Sequence, residues 1–432
     1  MTQGLFKATA TLLTGSVAAH ALPLLLGPAL TRTYSPESFG QFALLWALAT
    51  NVAVVACARY EYALPLERAE PEAAQLMALC GHVLAAVGIA TLCAAGVLAW
   101  RSGMAIYWLL PLAVLALGAT QWLTMWATRS ERFGLLSSAR LVQYGGGAVL
   151  QLALGWWLLG PTGHTGHTAS NALAGRWGLW GLCTGAIATA LLAAWLLARP
   201  APQGGWAACL RAPWPALRAM ALRHRDFPLL NTPHAFVGAL QDTLTLLAVT
   251  AWSGDAAAGL WAMSLRYLKA PASLLGGALS QALYPRLVQA PNAQAARQAV
   301  HHSMRLLAAI ALPMAAVLLL WGPALFTAFF GSRWAGAGEL ARALAPYIAL
   351  HFIASPLAVT TLAWKAQAWA LRLALVGQVA FFAGLLAGLA LGGLTGAAWG
   401  VSASMLLYFG YYFWALATWK DIPHEGRDES LA

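Results

Sequence analysis

The stretch AQLMALCGHVLAAVGIATLCAAGVLA, residues 74–99, decides the fold. It holds no Asp, Glu, Lys or Arg, and charge returns only outside it, at Glu72 and Arg101. A helix that is apolar on every side is either buried or membrane-spanning. About 20 such residues cross the hydrocarbon layer, so this stretch reads as a transmembrane helix. Working outward, the pattern recurs along the chain, near 10–30, 40–61, 104–127, 138–159 and 177–198. After a break it continues near 229–251, 257–284, 302–321, 338–360, 367–391 and 396–418.

The fold class expected is therefore an all-α membrane protein of about twelve transmembrane helices. Composition agrees: 60% of the residues are hydrophobic and only 9% charged, whereas soluble domains carry about a quarter charged residues. The 21 Trp and 11 Tyr suit helix ends anchored at a lipid interface. No soluble segment is large enough to house a separate enzyme.

The segment beginning RPAPQGGWAACLRAPWPALRAMALRHRD, at 199–228, is the longest polar connection. It divides the chain into an N-terminal six-helix bundle (1–198), a linker, and a C-terminal six-helix bundle with a short tail (229–432). Equal halves point to a parallel repeat about a central cavity. YSPESFGQFALLWAL at 34–48 aligns with WSGDAAAGLWAMSL at 252–265, Gly40 falling on Gly259.

The net charge of +11 does not mark a nucleic-acid surface, because the basic residues are scattered between apolar runs. They read instead as topology determinants. With both termini cytoplasmic, most of the 25 Lys and Arg fall on the cytoplasmic side, leaving Arg32, Arg101, Arg176, Arg266, Lys269, Arg333 and Arg342 elsewhere. The N-terminus leads straight into the first helix without a cleavage site, which implies an uncleaved inner-membrane protein. Five cysteines have no metal-ligand spacing, and those in apolar runs (Cys57, Cys80, Cys93, Cys183) read as small buried hydrophobes.

Ionisable groups at membrane depth are the candidates for function, since each costs roughly 2.5–3.5 kcal/mol on insertion scales. Arg266 and Lys269 stand three apart in helix eight and share a face, with Pro271 opening the helix just beyond. Asp242 sits mid-way along helix seven. Arg32 ends helix one, and Arg59 and Glu61 end helix two. One reading is a cationic cavity that binds an anionic substrate, with Asp242 and Glu61 as ion-pairing or coupling groups. The other is that Asp242 neutralises Arg266 or Lys269, Arg59 reaches to headgroups, and Arg32 merely closes a helix.

His164 and His167, in GPTGHTGHTASN, form an HxxH pair with no third ligand nearby and read as a solvated loop. Gly145–Gly147, and Gly392, Gly396 and Gly400 at spacing four, read as sites of close helix packing. No P-loop, GxSxG, HExxH or CxxC motif is present, so no cofactor, metal or catalytic residue is expected, and any transport runs on a gradient or on the substrate itself.

The chain also resembles a known family. LPLLLGPALTRTYSPESFGQFALLWALA (22–49) and ARYEYALPLE (58–67) are similar to the opening motifs of the polysaccharide-type, Wzx-like flippases of the multidrug/oligosaccharidyl-lipid/polysaccharide (MOP) superfamily. RHRDFPLLNTPHAFVGALQ (223–241), GLWAMSLRYLKAPASLLGGALSQALYPRL (259–287) and GPALFTAFFGSRWAGAGELARALAPYIALHFIASPLA (322–358) follow in the family's order. The resemblance implies a twelve-helix, two-bundle fold with a central cavity. It also implies alternating-access flipping of an undecaprenyl-diphosphate-linked oligosaccharide (an O-antigen, capsule or exopolysaccharide unit) towards the periplasmic leaflet. It carries cationic binding onto Arg32, Arg59 and Arg266, and places Glu61 among the motif positions; Lys269 comes from helical spacing alone. The family's asparagine in helix seven is missing here, which shifts any polar role to Gln241 or Asp242. Membrane lipids, a polysaccharide polymerase and a ligase are the implied partners. A cation-coupled multidrug exporter of the same superfamily and a membrane-embedded glycan polymerase or ligase are the alternatives. The first calls for acidic cavity groups, whereas the deeper charges here are mostly basic; the second calls for a large outer loop, and no outer loop exceeds about 20 residues.

Overall fold

The computed structural model describes residues 15, 17–159, 170–201 and 205–419; His164 and His167 lie outside them. The described residues form helices and turns, with no strand. Among the described residues, seven helical stretches are long and apolar enough to cross a membrane, and two of them bend, at Gly254 and at Gly392–Gly393, so that each carries two successive helices. With the shorter helices they supply the twelve-helix architecture expected.

In the first half, α1 (17–25) and α2 (Gly27–Thr33) make up helix one and α3 (Pro36–Ala53) helix two. Helix three is α4 (Glu70–Ser102) and helix four α5 (Leu110–Arg129). Helix five is α6 (Phe133–Arg140), a π-helical turn (Leu141–Gly146) and α7 (Gly147–Leu159); helix six is α8 (Ser170–Ala198). The linker contains α9 (Gly205–Leu210) and α10 (Trp214–Arg223). In the second half α11 (Thr232–Leu268) bends at Gly254, whose φ of 83° belongs to the left-handed range that glycine tolerates. Then follow α12 (Ala270–Val288), α13 (Ala293–Phe330), α14 (Ala335–Leu357), α15 (Val359–Ala363) and α16 (Gln367–Ala417).

The chain divides into two compact units, Met1–Leu247 and Ala248–Ala432; the first takes in the 199–228 segment. Within the first unit, α5 packs against α3, α4 and α8, and Thr120 Oγ1 of α5 donates to the Ala190 carbonyl of α8 at 3.1 Å. Within the second, α14 packs against α12, α13 and α16, and Ser402 Oγ of α16 donates to the Ala343 carbonyl of α14 at 2.6 Å. Each half thus wraps its fourth helix with its second, third and sixth. The two stretches aligned in sequence occupy equivalent bends, before α3 and at Gly254, and both Gly40 and Gly259 are buried.

α4 shows how the apolar surplus is used. Ile89, Leu92, Val97, Leu98 and Trp100 are exposed on a helix whose other face carries buried Leu76, Met77, Cys80 and Leu84. An apolar face of that extent on a helix long enough to cross a membrane suits contact with lipid. Cys57, Cys80 and Cys183 are buried as expected, but Cys93 is exposed, because it falls on this outer face.

Three other expectations are corrected. Helix two does not continue to 61: its α-helix stops at Ala53 and a 3₁₀ segment, Tyr60–Leu66, follows. The linker at 199–228 is a folded element as well as a polar connection. Leu217 and Met220 of α10 are buried in the core of the first unit, and Trp206 stands edge-on to Trp122, 5.9 Å away. Gly392 is not a packing glycine. With Gly393 (φ 58°) it makes the turn between the two spans of α16, and a Cβ there would meet nothing. The close contacts lie on either side. A Cβ on Gly388 would stand 2.2 Å from the Gly396 carbonyl, and one on Gly384 2.4 Å from that of Gly400.

Candidate functional site

Helix two is started by strong local signals. Ser35 caps it, accepting from the Ser38 amide at 3.3 Å, Pro36 occupies the first turn, and Glu37 complements the positive end of the helix dipole. Its end is unusual. Residues 54–59 form successive turns, and Ala58 and Arg59 both adopt left-handed backbone (φ 50° and 62°). Each such non-glycine residue costs roughly 1–2 kcal/mol, so the surrounding contacts must hold the break in place.

Three side chains of interest lie at or beside this break. Arg59 is half-buried, its guanidinium carbon 4.2 Å from the centre of the Tyr62 ring, a cation–π arrangement. Glu61 is 1% exposed. Its Oε1 accepts from Gln121 Nε2 of α5 at 2.6 Å, and the same nitrogen lies 3.5 Å from the Val54 carbonyl. Its Oε2 is buried with no hydrogen-bond partner among the described residues. Asn51, one turn before the break, is buried with its Nδ2 likewise unpartnered. Polar groups buried in this way are uncommon and mark either strain or a missing ligand.

The other sequence candidates are placed as follows. Arg32 lies in the last turn of α2, exposed between buried Thr31 and Thr33. Asp242 is exposed on α11; its neighbour Thr243 turns the other way and donates to the Ala47 carbonyl of α3 at 3.2 Å. Arg266 is exposed near the end of α11. Lys269 is half-buried at the bend between α11 and α12, directly before Ala270 and Pro271, so Pro271 does open helix eight. Arg32, Arg59, Glu61 and Asp242 belong to the first unit, Arg266 and Lys269 to the second. Arg59 and Glu61 are brought together on one short segment, and Arg266 and Lys269 within one helical turn.

Sequence reasoning missed Gln121. It is a neutral residue in an apolar helix, and only the packing of α5 on helix two reveals that it serves Glu61. It also missed the ionic cluster at the far end of the 3₁₀ segment. There Glu67, 6% exposed, meets His224 Nε2 at 2.7 Å and Arg223 Nη1 at 3.7 Å. The acidic run Glu67, Glu70, Glu72 facing RHR at 223–225 was the available signal.

Residues 169–339 match the sequence model of a family described as Polysaccharide biosynthesis protein. No curated protein matches the chain. Among solved structures, the chain is similar to an inward-facing multidrug resistance MATE family transporter of the MOP superfamily. The TM-score is 0.56 at 12% identity, over 93% of this chain and 97% of that one. It is similar to a MOP superfamily transporter from Pyrococcus furiosus, with a TM-score of 0.55 at 14% identity over 95% and 96% of the two chains. A Vibrio cholerae MATE transporter in the bent form gives 0.50 at 15% identity over 96% and 95%. At these identities the structural likeness speaks for the fold alone: a multi-pass, twelve-helix, two-lobe membrane fold of the kind those proteins have. Arg266, Lys269 and Asp242 all fall inside the matched 169–339 segment.

Proposed function

We propose that this chain, a flippase-like transporter of the MOP superfamily by its fold and its family match, moves an undecaprenyl-diphosphate-linked oligosaccharide from the cytoplasmic to the periplasmic leaflet of the inner membrane. The observation that carries the reading is Arg266: a basic residue with exposed surface on a membrane-spanning helix, inside the segment that matches a polysaccharide biosynthesis family. A charge at that depth is kept where it meets water or a ligand of opposite sign. Lys269, one turn on at a helix bend, and Arg32 and Arg59 in the first unit supply three more cations with reachable surface. Guanidinium forks match the oxygens of a diphosphate, and ammonium adds a point charge. In this reading they engage the diphosphate head while the protein alternates its access between the two leaflets.

Glu61 and Asp242 are the coupling groups in the same proposal. Oε2 of Glu61 is buried with no hydrogen-bond partner among the described residues, and a proton taken up there would offset the cost of that burial. The chain then acts by binding and conformational change, without covalent chemistry. Polymerase and ligase enzymes consume the translocated unit.

A multidrug exporter shares the fold and is the competing reading. The Pyrococcus furiosus relative is described as having a binding pocket of reverse polarity that points to a different function. The fold therefore tolerates pockets of either sign, and the mainly basic set here favours an anionic head. The test is a proteoliposome assay with a fluorescent lipid-linked oligosaccharide, run beside export of a quaternary ammonium dye. Wild type is expected to translocate the lipid and not the dye, and the Arg266→Ala/Lys269→Ala protein, at equal abundance, to lose translocation. Full lipid translocation by that double variant would overturn the cationic-site reading, and dye export alone would establish the competitor.

A further inference from the structure

The broken end of helix two is not a loose loop, because two elements grip it where it leaves the site. One grip is Arg129, in the last turn of α5, with its side chain only 11% exposed. Its Nε donates to the Glu67 carbonyl at 3.0 Å, Nη2 to the Arg68 carbonyl at 3.4 Å and Nη1 to Glu70 Oε1 at 2.8 Å. The Trp126 ring lies 5.4 Å from the guanidinium carbon. The other grip comes from the linker. The Glu67 carboxylate, 5% exposed, takes His224 Nε2 at 2.7 Å and Arg223 Nη1 at 3.7 Å, and Arg223 also reaches Glu72 Oε1 at 3.1 Å. At the near end of the segment, Tyr60 Oη donates to the Ala221 carbonyl of α10 at 3.4 Å. α10 is itself seated through Leu217 and Met220 in the core.

We infer that Glu67, held by His224 and Arg223 of the linker, is a positioning residue that fixes Arg59 and Glu61 in their working geometry. The inference rests on the role proposed above for Arg59 and Glu61. Arg59 is one of two successive left-handed residues, and such a backbone relaxes unless both ends of its segment are pinned. One end is pinned by Gln121 on Glu61 and Val54. The other is pinned at Glu67, six residues beyond Glu61, by side chains of the linker. A buried carboxylate stripped of its partners is strongly penalised, so the His224–Glu67 contact holds the linker and the segment together. The linker that joins the two halves in sequence is therefore also a structural part of the site in the first.

Hydrogen exchange of the full-length protein in lipid nanodiscs, alongside the translocation assay, tests this. His224→Leu removes the donor and leaves Arg129 and Gln121 untouched. It is expected to speed amide exchange over 57–66 by about tenfold or more, to leave exchange in 110–129 unchanged, and to lower translocation. His224→Gln keeps a donor on the same side and is expected to restore both readouts. Glu67→Gln, which keeps an acceptor, should give a smaller acceleration and provides the same comparison if His224→Leu fails to fold. Wild-type exchange over 57–66 in both His224→Leu and Glu67→Gln overturns the inference, as does lost translocation with exchange unchanged. Arg59→Ala separates the two proposals: normal translocation in that variant defeats the site reading, while the exchange result still decides whether Glu67 is the clamp.

Discussion

Glu61 has one oxygen on Gln121 at 2.6 Å and the other buried without a partner among the described residues. Gln121→Leu removes that side-chain donor and leaves the carboxyl buried. An unsatisfied buried acceptor costs about 1–3 kcal/mol, so this variant is expected to lower the unfolding free energy in detergent by that amount. Glu61→Met combined with Gln121→Leu removes both partners and should recover most of the loss, because paired polar groups exchanged for apolar ones of similar shape are nearly neutral. A double variant less stable than Gln121→Leu would show that Glu61 has another essential partner. Sequence pointed to Glu61 through its place beside Arg59 in a charged break between apolar runs. It could not point to Gln121, because nothing about a glutamine in an apolar helix distinguishes one that caps a carboxyl from one that faces a neighbouring backbone.

Among the elements, α16 shows where small residues matter and where they do not. Its two spans approach so closely that a Cβ on Gly388 or Gly384 collides with backbone carbonyl oxygen, and backbone cannot yield as a side chain can. Gly388→Ala is therefore expected to force the spans apart and destabilise the second unit by about 1–3 kcal/mol, as overpacking does in a core. At the turn, Gly393→Ala meets open space and bears only the strain of a backbone that residues with a Cβ rarely adopt, roughly 1–3 kcal/mol. Gly392→Ala, with φ of −146° and no neighbour, should be nearly silent. Thermal unfolding of the three variants checks the order, and a Gly392→Ala as damaging as Gly388→Ala would contradict it. The spacing of Gly392, Gly396 and Gly400 marked the right helix pair, but spacing alone could not separate the turn glycine from the packing ones, and it passed over Gly384 and Gly388. Helix existence was legible for a plain reason: every span must present apolar residues over most of its length. The break in helix two was not, because Ala58 and Arg59 are ordinary helix formers, and the contacts that flank the left-handed pair come from α5 and α10, distant in sequence.

At the scale of the whole molecule, the repeated pattern of a fourth helix wrapped by the second, third and sixth was foreshadowed by the equal helix counts of the two halves. The linker was the exception. Its Pro and Arg content reads as polar loop, yet Leu217, Met220 and Trp206 fasten it to the first unit. The same segment is where orientation can be tested. Arg199 lies over the Trp195 ring at 3.9 Å, Arg129 stands over Trp126, and Trp126 Nε1 donates to the Pro200 carbonyl, so cations and indoles gather at one end of the first unit. Indole rings sit at the headgroup level and basic residues are retained on the cytoplasmic side. A reporter active only in the cytoplasm, inserted at Ala201, is expected to be active, and one active only in the periplasm to be silent. Arg211, Arg218 and Arg225 are exposed, and none of them takes part in the Glu67 cluster. Replacing these three by Gln removes orienting charge without touching the clamp, and should shift a measurable fraction of the periplasmic reporter to the active state. A fully active periplasmic reporter in the unaltered chain would reverse the orientation, and with it the leaflet from which the substrate is taken.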